Sequence, residues 1–239
     1  MMKKTAILLS VVLCFSLEAV TLKRGKKWSP LKRQEAEKIV EDVYSQIDQS
    51  PYSIKSEEID VIRKEGGDST YGEITYDSVQ QLIDHAKLTA KDTFYDFGCG
   101  RGRACLQIAL ETPAKVVGVD LSTTRIDMAN KAKEILKNKH NIDLGNRLTY
   151  RNESFIKTPL AKNPVIYACA TCFPENLMKE IGNKIAAHKG GARLYTLKQI
   201  SGWKTNADLT WSMSWNSSTA CYYYDTRSKK SMRQKLSLK

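Results

Sequence analysis

Apolar residues recur at two different spacings along this chain, and the spacing changes near residue 92. Before that point they recur at helical intervals, which predicts helices over residues 31–47 and 76–86. The stretch between them is assigned no helix, because a polar run at residues 55–60 leads into a glycine-rich loop at residues 66–69. Beyond residue 92, short apolar runs alternate with helical segments, which is typical of a parallel sheet covered by helices.

The second half of the chain supplies the strands of this sheet. Five parallel strands are predicted at residues 93–97, 115–119, 147–151, 165–170 and 192–197. Helices between them are predicted at residues 103–110, 122–138 and 175–188. An antiparallel hairpin is predicted from strands at residues 209–215 and 220–224, with Asn-Ser-Ser at 216–218 as its turn. The predicted fold is therefore α/β: a Rossmann-like, seven-stranded sheet of five parallel strands and a closing hairpin, with helices on both faces.

Composition restricts the class of protein, and the position of the charge matters more than its sum. The chain has 239 residues, of which 41% are apolar and 27% charged, and this excludes general disorder. The formal net charge of +12 comes from the ends, since residues 1–38 carry nine basic and three acidic groups and residues 227–239 carry six basic and no acidic groups. Residues 39–226 are formally neutral. The basic ends predict contact with an acidic partner, nucleic acid included.

The first 19 residues read as a secretory signal. A charged Met-Met-Lys-Lys start precedes an apolar run at residues 5–17, and Ala19 offers a small residue for cleavage. The run is shorter than the roughly 20 residues that a membrane span needs. We therefore expect an exported protein, periplasmic or secreted, with no integral membrane association after cleavage; the alternative is an uncleaved N-terminal membrane anchor.

The most informative motif follows the first predicted strand. Residues 96–102 read Asp-Phe-Gly-Cys-Gly-Arg-Gly, and glycines at a strand-to-helix turn let the backbone approach a ligand closely. The next strand ends at Asp120, whose carboxylate can accept both hydroxyls of a ribose. This pattern resembles the class I S-adenosylmethionine-dependent methyltransferases. A nicotinamide-binding unit fits less well, because the glycine spacing is Gly-x-Gly-x-Gly and an acidic residue precedes it.

Further motifs narrow the resemblance. Tyr-Gly-Glu at residues 71–73 precedes an Asp-x-Val-x-x-x-Ile-Asp-like helix, Gly-Gly-Ala-Arg at 190–193 opens the fifth strand, and Ser-Trp at 214–215 is followed by Cys-Tyr-Tyr at 221–223. In this order they resemble the non-SET histone-lysine methyltransferases, the family named for disruption of telomeric silencing. The resemblance extends over residues 68–226. It implies a methyltransferase sheet, S-adenosylmethionine as cofactor, and a protein lysine, histone or nucleosomal, as acceptor.

The resemblance also implies roles for individual residues on the cofactor side. Tyr71 and Glu73 would hold the methionine end, and Asp120 would take the ribose. An Arg-Gly-Asp-Phe string of the family corresponds to residues 151–155 here with one residue extra, so Glu153 or Ser154 could meet the adenine amine; we favour Glu153, because a carboxylate accepts more strongly than a hydroxyl. The implied cofactor-binding residues are Tyr71, Glu73, Asp96, Gly98, Gly100, Gly102, Asp120, Glu153 and Phe155.

On the acceptor side this sequence departs from the family. Where the family has Asn beside the transferred methyl group, this chain has Cys169. Phe173 is retained, and with Tyr222 and Tyr223 it would form an aromatic channel for an amine, Tyr223 corresponding to the family's channel tyrosine. The candidate catalytic residues are therefore Cys169, Phe173, Tyr222 and Tyr223.

The Cys-x-x-Cys spacing of Cys169 and Cys172 also raises a redox or metal interpretation. Such sites need a second ligand pair or a following helix N-terminus, and no second pair is visible. We therefore predict no metal and assign these residues to packing at a strand end.

Three hypotheses follow. The first is a protein-lysine methyltransferase, acting on histones or another basic protein as an exported bacterial effector delivered to a host cell. The second, suggested by Cys169, is a methyltransferase for a small molecule or a different protein. The third is a non-catalytic protein that binds the cofactor and acts through its tails. We divide the chain into a secretory signal (1–19), a basic segment with a helix (20–67), a methyltransferase domain (68–226) and a basic tail (227–239).

Overall fold

The computed structural model describes residues 29–227. The predicted signal at residues 1–19 and nearly all of the basic tail at 227–239 lie outside that range. Within the described range, no helix is both long enough and apolar enough to cross a membrane.

The described chain builds one seven-stranded sheet, as predicted. Its strands are β1 (Thr93–Phe97), β2 (Lys115–Asp120), β3 (Leu148–Asn152), β4 (Pro164–Ala168), β5 (Arg193–Thr196), β6 (Ala207–Met213) and β7 (Asn216–Asp225). Their order is β3-β2-β1-β4-β5-β7-β6, with the first five parallel and the last two forming an antiparallel hairpin. The predicted Rossmann-like fold class is confirmed. The strand order reverses between β1 and β4, and the crevice outside that point is where open α/β sheets bind ligands.

Six α-helices accompany these strands in the described range. They are α1 (Arg33–Tyr44), α2 (Ser56–Lys64), α3 (Tyr76–Ala86), α4 (Arg103–Glu111), α5 (Thr123–His140) and α6 (Glu175–Ala187). The bounds of α3 agree with the prediction because local signals are strong there: Thr75 caps its start through a hydrogen bond from the Ser78 amide. Ser122 caps α5 in the same way, accepting from the Arg125 amide.

The helix α2 is a correction to the sequence prediction, which assigned no helix to its polar residues. It contains five charged residues among nine, and its buried positions are only Glu58 and Ile62. Only three of its residues are apolar, Ile59, Val61 and Ile62, so the segment was assigned as a polar run although the helix is amphipathic. Glu58 is buried because it accepts hydrogen bonds from the first turn of α5. Tertiary contact, rather than local pattern, identifies this helix.

The hairpin turn is a second correction. The turn lies at Ser214-Trp215, and Asn216-Ser217-Ser218 belongs to β7 instead of connecting the strands. Two hydrogen bonds fix the turn against residue 73: the Ser214 amide donates to the Glu73 carbonyl at 2.7 Å, and the Glu73 amide donates to the Ser214 hydroxyl at 3.0 Å. These long-range contacts outweigh the turn propensity of Asn-Ser-Ser. Trp215 consequently lies at the tip of a turn rather than in a strand.

The N-terminal helix shares its core with the sheet. Ala36, Val40 and Val43 of α1 are fully buried in the cluster on one face of the sheet. A second cluster, around Phe97 and Ile166, fills the opposite face beneath α6. The predicted boundary between the basic segment (20–67) and the methyltransferase domain (68–226) stays a prediction.

Candidate functional site

A cavity of about 340 Å³ lies at the carboxyl ends of β1, β2 and β4. Seven residues predicted from the sequence line it: Tyr71, Gly98, Gly100, Asp120, Phe155, Cys169 and Phe173. A small chamber of about 30 Å³ adjoins it and is lined by Glu73 and Asp96, among others. Of the remaining predicted residues, Gly102, Glu153, Tyr222 and Tyr223 line neither space.

The loop after β1 is shaped by glycine. Gly98, Gly100 and Gly102 all have positive φ, at 84°, 53° and 79°. At Gly100 a Cβ atom would stand 2.4 Å from the Tyr71 ring, so only glycine lets that ring close over the loop. Gly102 serves packing instead: it is the N-cap of α4, and its carbonyl accepts from the Tyr150 hydroxyl at 3.0 Å.

Asp120 organises the centre of the cavity. One carboxylate oxygen accepts from the Gly100 amide at 2.9 Å, and the other accepts from the Ser122 amide at 2.8 Å. Burial raises the pKa of Asp120, although these amides partly offset the effect. Each oxygen retains a second lone pair. The carboxylate can therefore accept two neighbouring hydroxyl groups while it holds the glycine loop in place.

Asp96 contributes a buried carboxylate with an unused oxygen. Its Oδ1 atom is buried and has no hydrogen-bond partner among the described residues, while Oδ2 lies 3.6 Å from the Cys105 thiol. Burial raises the pKa of Asp96 to about 7, and the nearby Asp120 charge adds to the effect. A buried, unpartnered carboxylate at the chamber wall is a site for a cation.

Glu73 is fully engaged by neighbouring side chains. Its carboxylate accepts two hydrogen bonds from the Arg101 guanidinium, at 2.7 and 3.0 Å, and one from the Tyr71 hydroxyl at 2.6 Å. Burial alone would raise the pKa of Glu73, but these hydrogen bonds outweigh it and hold the pKa below its usual range. Glu73 thus fastens the Tyr-Gly-Glu segment to the glycine loop, and its predicted contact with a cofactor stays a prediction.

Aromatic rings form the far wall of the cavity. Phe155 stacks with Phe97, with ring centroids 4.9 Å apart, and with Phe173, with ring centroids 5.6 Å apart. Such a wall suits a planar ring. Beside it, Ser154 rather than Glu153 lines the cavity, because the Glu153 carboxylate turns away to accept from the Thr158 hydroxyl at 2.8 Å.

The predicted aromatic channel is only partly assembled in the cavity. Cys169 and Phe173 line it, but Tyr222 and Tyr223 are successive residues of β7 and point to opposite faces of the sheet. Tyr223 packs edge-on to His85 at 4.9 Å, and its hydroxyl donates to Asp225 at 3.2 Å. Its predicted role stays a prediction.

Trp215 lines the cavity, whereas the predicted channel residues Tyr222 and Tyr223 do not. Its ring lines the cavity and lies so close to the backbone that a Cβ atom on Gly72 would stand 2.2 Å from it. The side chain is among the exposed large hydrophobic residues, with 46% of its surface exposed. Trp215 belongs to the Ser-Trp motif, but its predicted position in a strand indicated no role for it in the site.

Arg125 is a second lining residue that the sequence did not indicate. Within residues 29–227, no group of three or more side chains that could hold a metal ion is found, and the predicted absence of a metal stays a prediction. Cys169 is partly buried, and burial raises the pKa of its thiol to about 12, so it stays protonated. The cavity as a whole suits a ligand with a cation at one end, vicinal hydroxyls in the middle and a flat ring at the other end.

Comparison with known families gives a match over most of the chain. The model of the family described as "Histone methylation protein DOT1" matches residues 53–214. A Drosophila melanogaster protein named "Histone-lysine N-methyltransferase, H3 lysine-79 specific" is 35% identical over 68 residues, which cover 28% of this chain and 4% of the relative. A protein of the same name from Gibberella zeae is 22% identical over 152 residues, covering 59% of this chain and 30% of the relative. The chain thus spans less than a third of the length of these relatives.

Solved structures with a similar arrangement include an RNA methyltransferase from Salinibacter ruber in complex with S-adenosylhomocysteine. It has a TM-score of 0.46 and 14% identity, and the match covers 62% of this chain and 88% of that one. A dimethyladenosine transferase from Plasmodium falciparum has a TM-score of 0.42 and 21% identity over 53% of this chain and 43% of that one.

Proposed function

Since the chain belongs to the DOT1 family of histone methylation proteins, we propose that it is an S-adenosylmethionine-dependent protein-lysine methyltransferase. The observation that carries the proposal is the order of groups along the cavity and the chamber that adjoins it. Asp96, whose Oδ1 atom is buried and has no hydrogen-bond partner among the described residues, lines the chamber, and the hydroxyl acceptor Asp120 and the ring wall at Phe155 line the cavity. This order matches the ammonium, ribose and adenine of the cofactor.

The residues present fit the cofactor group by group. Asp96 would hold the ammonium, Asp120 the two ribose hydroxyls, and Phe155 the adenine ring, with Ser154 beside its edge. The cofactor, when bound, supplies an electrophilic methyl group on a sulfonium. Transfer of a methyl group is an in-line displacement, so the chain's contribution is chiefly to align the acceptor and exclude water.

Trp215, Phe173 and Cys169 would perform that alignment on the acceptor side. The two aromatic side chains lie on the cavity wall and can pack around an aliphatic stem, favouring a cationic head as it enters. Cys169 remains a neutral thiol and therefore does not compete as a nucleophile for the methyl group. The acceptor amine must lose its proton to solvent before transfer, and the apolar wall favours the neutral amine once the acceptor covers it.

The proposed class of acceptor rests on the family to which the chain belongs. The relatives' names specify a histone lysine, and we extend this to the present chain as a lysine of a histone or another basic protein. Delivery to a host cell as an exported effector, and contact with nucleic acid through the tails, rest on residues 1–19 and 227–239. Both remain proposals drawn from sequence.

A second candidate function is methylation of a small molecule or of a different protein. It is favoured by Cys169, which lines the cavity where the family resemblance places an asparagine. A thiol is a much weaker hydrogen-bond partner than a carboxamide, so an acceptor oriented by that asparagine would lose its contact here.

The proposal is tested by label transfer from tritiated S-adenosylmethionine with the full chain. Separate pools of nucleosomes, free histones and bacterial lysate are offered as acceptors. Label on histone protein supports the lysine methyltransferase, and label confined to the lysate supports the second candidate. Binding of the cofactor without transfer to any pool indicates the non-catalytic hypothesis.

Replacement of Trp215 by alanine separates acceptor binding from cofactor binding. We expect KM for the protein acceptor to rise about tenfold or more, since an aromatic surface that becomes buried when the acceptor binds is worth roughly 1–3 kcal/mol. The Kd for S-adenosylhomocysteine, measured by calorimetry, should change less than about threefold. Trp215→Phe keeps an aromatic wall and serves as the matched control. An unchanged KM in the alanine variant would remove Trp215 from the acceptor site.

A further inference from the structure

One wall of the cavity is supplied by residues 51–71, which we call the cover segment. It contains α2 and the loop that follows, and its residues Ile62, Gly67, Thr70 and Tyr71 line the cavity. The segment contributes little apolar surface of its own, since only Glu58 and Ile62 of α2 are buried. Polar contacts must therefore hold it against the body of the domain.

The first contact is the carboxylate of Glu58. It accepts from the Thr124 hydroxyl at 2.6 Å, from the Thr124 amide at 3.2 Å and from the Ser122 hydroxyl. All three donors belong to the start of α5, where unpaired amides and the helix dipole favour a negative charge. Glu58 is 8% exposed, so these hydrogen bonds are protected from water.

The second contact runs in the opposite direction, from α5 to the cover segment. The Arg125 guanidinium donates to the Pro51 carbonyl at 3.1 Å and to the Ser69 carbonyl at 2.7 Å. It also lies over the Tyr71 ring, with 4.8 Å between the guanidinium carbon and the ring centroid. Arg125 thus touches the beginning and the end of the cover segment with one side chain.

The first of these contacts meets the proposed cofactor site at Ser122. The Ser122 amide donates to Asp120, and the Ser122 hydroxyl donates to Glu58. The carboxylate that would take the ribose and the carboxylate that anchors the cover segment are therefore held by the same residue. Ligand entry past the cover segment would require these contacts to open, together with the exposed ion pair between Glu65 of the segment and Lys157 at 2.8 Å.

We propose that Glu58 and Arg125 are positioning residues that hold the cover segment closed and so set the rate of cofactor exchange. This inference rests on the proposed function, since it concerns the same cavity. It assigns to α2 a role that neither the family match nor the sequence motifs give to it.

The test compares Glu58→Gln and Thr124→Val with Glu57→Gln. Glu57 is the neighbouring acid on α2 and is exposed, so its variant controls for loss of charge. Dissociation of S-adenosylhomocysteine is followed by stopped-flow fluorescence, and hydrogen exchange of the cover-segment amides is followed without ligand. We expect about tenfold faster dissociation and about tenfold faster exchange in Glu58→Gln and Thr124→Val, consistent with loss of charge-assisted hydrogen bonds. The Glu57→Gln values should stay within about twofold of wild type.

The two test variants also check each other. Because Thr124 acts through Glu58, the double variant should dissociate no faster than about twice the faster single variant. Multiplicative effects, or rates in Glu58→Gln equal to those in Glu57→Gln, would overturn the inference. If Glu58→Gln fails to fold by circular dichroism, Thr124→Val, which removes a single hydroxyl, decides the question. A wild-type chain that binds no cofactor would contradict the proposed function, while the exchange measurement would still decide whether the contacts hold the segment.

Discussion

Replacing Asp120 by alanine is expected to weaken the binding of S-adenosylmethionine by at least about 100-fold. Two hydrogen bonds from ribose hydroxyls to a carboxylate are worth roughly 3 kcal/mol or more together, and a factor of ten corresponds to about 1.4 kcal/mol. The same carboxylate holds the Gly100 amide at 2.9 Å, so the glycine loop also loses its anchor. Calorimetry with the full chain measures the loss.

The control for this variant is Asp127→Ala, which replaces an exposed acid near the start of α5. It should bind the cofactor as wild type does. Thermal unfolding of both variants checks the fold, because Asp120→Ala leaves two buried amides without a partner, each at a cost of about 1–3 kcal/mol. A folded Asp120→Ala chain that binds within about threefold of wild type would remove the ribose from this position.

Cofactor affinity should also depend steeply on pH below neutrality. The pKa of Asp96 in the free chain is about 7, because burial disfavours its charge. A cationic ligand at Asp96 requires the ionised carboxylate, so Kd should rise about tenfold for each pH unit below about 7 and level off above it. Facing thiols stay neutral in this range, since burial raises the pKa of Cys99 to about 11 and that of Cys105 as well. The second facing carboxylate, Asp120, has a raised pKa, so comparison with Asp96→Asn is needed to assign the slope.

The free energy of unfolding of the free chain should fall as pH rises toward 7, whereas cofactor affinity should increase over the same range. A raised folded-state pKa means that the folded chain retains a proton between about pH 4 and pH 7 that the unfolded chain has lost. The stabilisation from this group is therefore complete below about pH 4 and is lost as pH rises through about 7. Asp96→Asn should lack this part of the pH dependence and should flatten the slope of Kd. Parallel slopes in wild type and Asp96→Asn would contradict a cation site at Asp96.

Local signals explain why much of the fold could be predicted from the sequence. The strand β1 consists of consecutive buried residues bounded by the glycine loop, and α3 begins at the capping residue Thr75. Each is defined by residues close in sequence, so the alternation of strands and helices was visible without tertiary information.

The features that the sequence did not reveal depend on distant contacts. The helix α2 is stabilised by hydrogen bonds between Glu58 and residues more than 60 positions away. The turn that presents Trp215 is fixed by Glu73, 141 residues before Ser214. Neither contact leaves a periodic signal, and the turn propensity near residue 216 favoured a different register.

In the candidate site too, some residues could be predicted from local sequence spacing and others depend on tertiary contacts. The glycine loop and Asp120 were indicated by spacing, because they follow directly from strand ends. The choice between Glu153 and Ser154 depended on which side chain turns toward the cavity, and the Thr158 hydroxyl, five residues further on, draws Glu153 away. Arg125 could not be predicted as a site residue, because an arginine in the first turn of a helix is usually solvated.

The most direct test of the central claim is mass spectrometry of histones after incubation with the full chain and S-adenosylmethionine carrying a deuterated methyl group. We expect the labelled methyl on a lysine side-chain nitrogen, at a level that Asp120→Ala reduces at least about 100-fold at subsaturating cofactor. Label on a lysine that is unaffected by Asp120→Ala, or cofactor binding in this cavity with no label on any lysine, would contradict it.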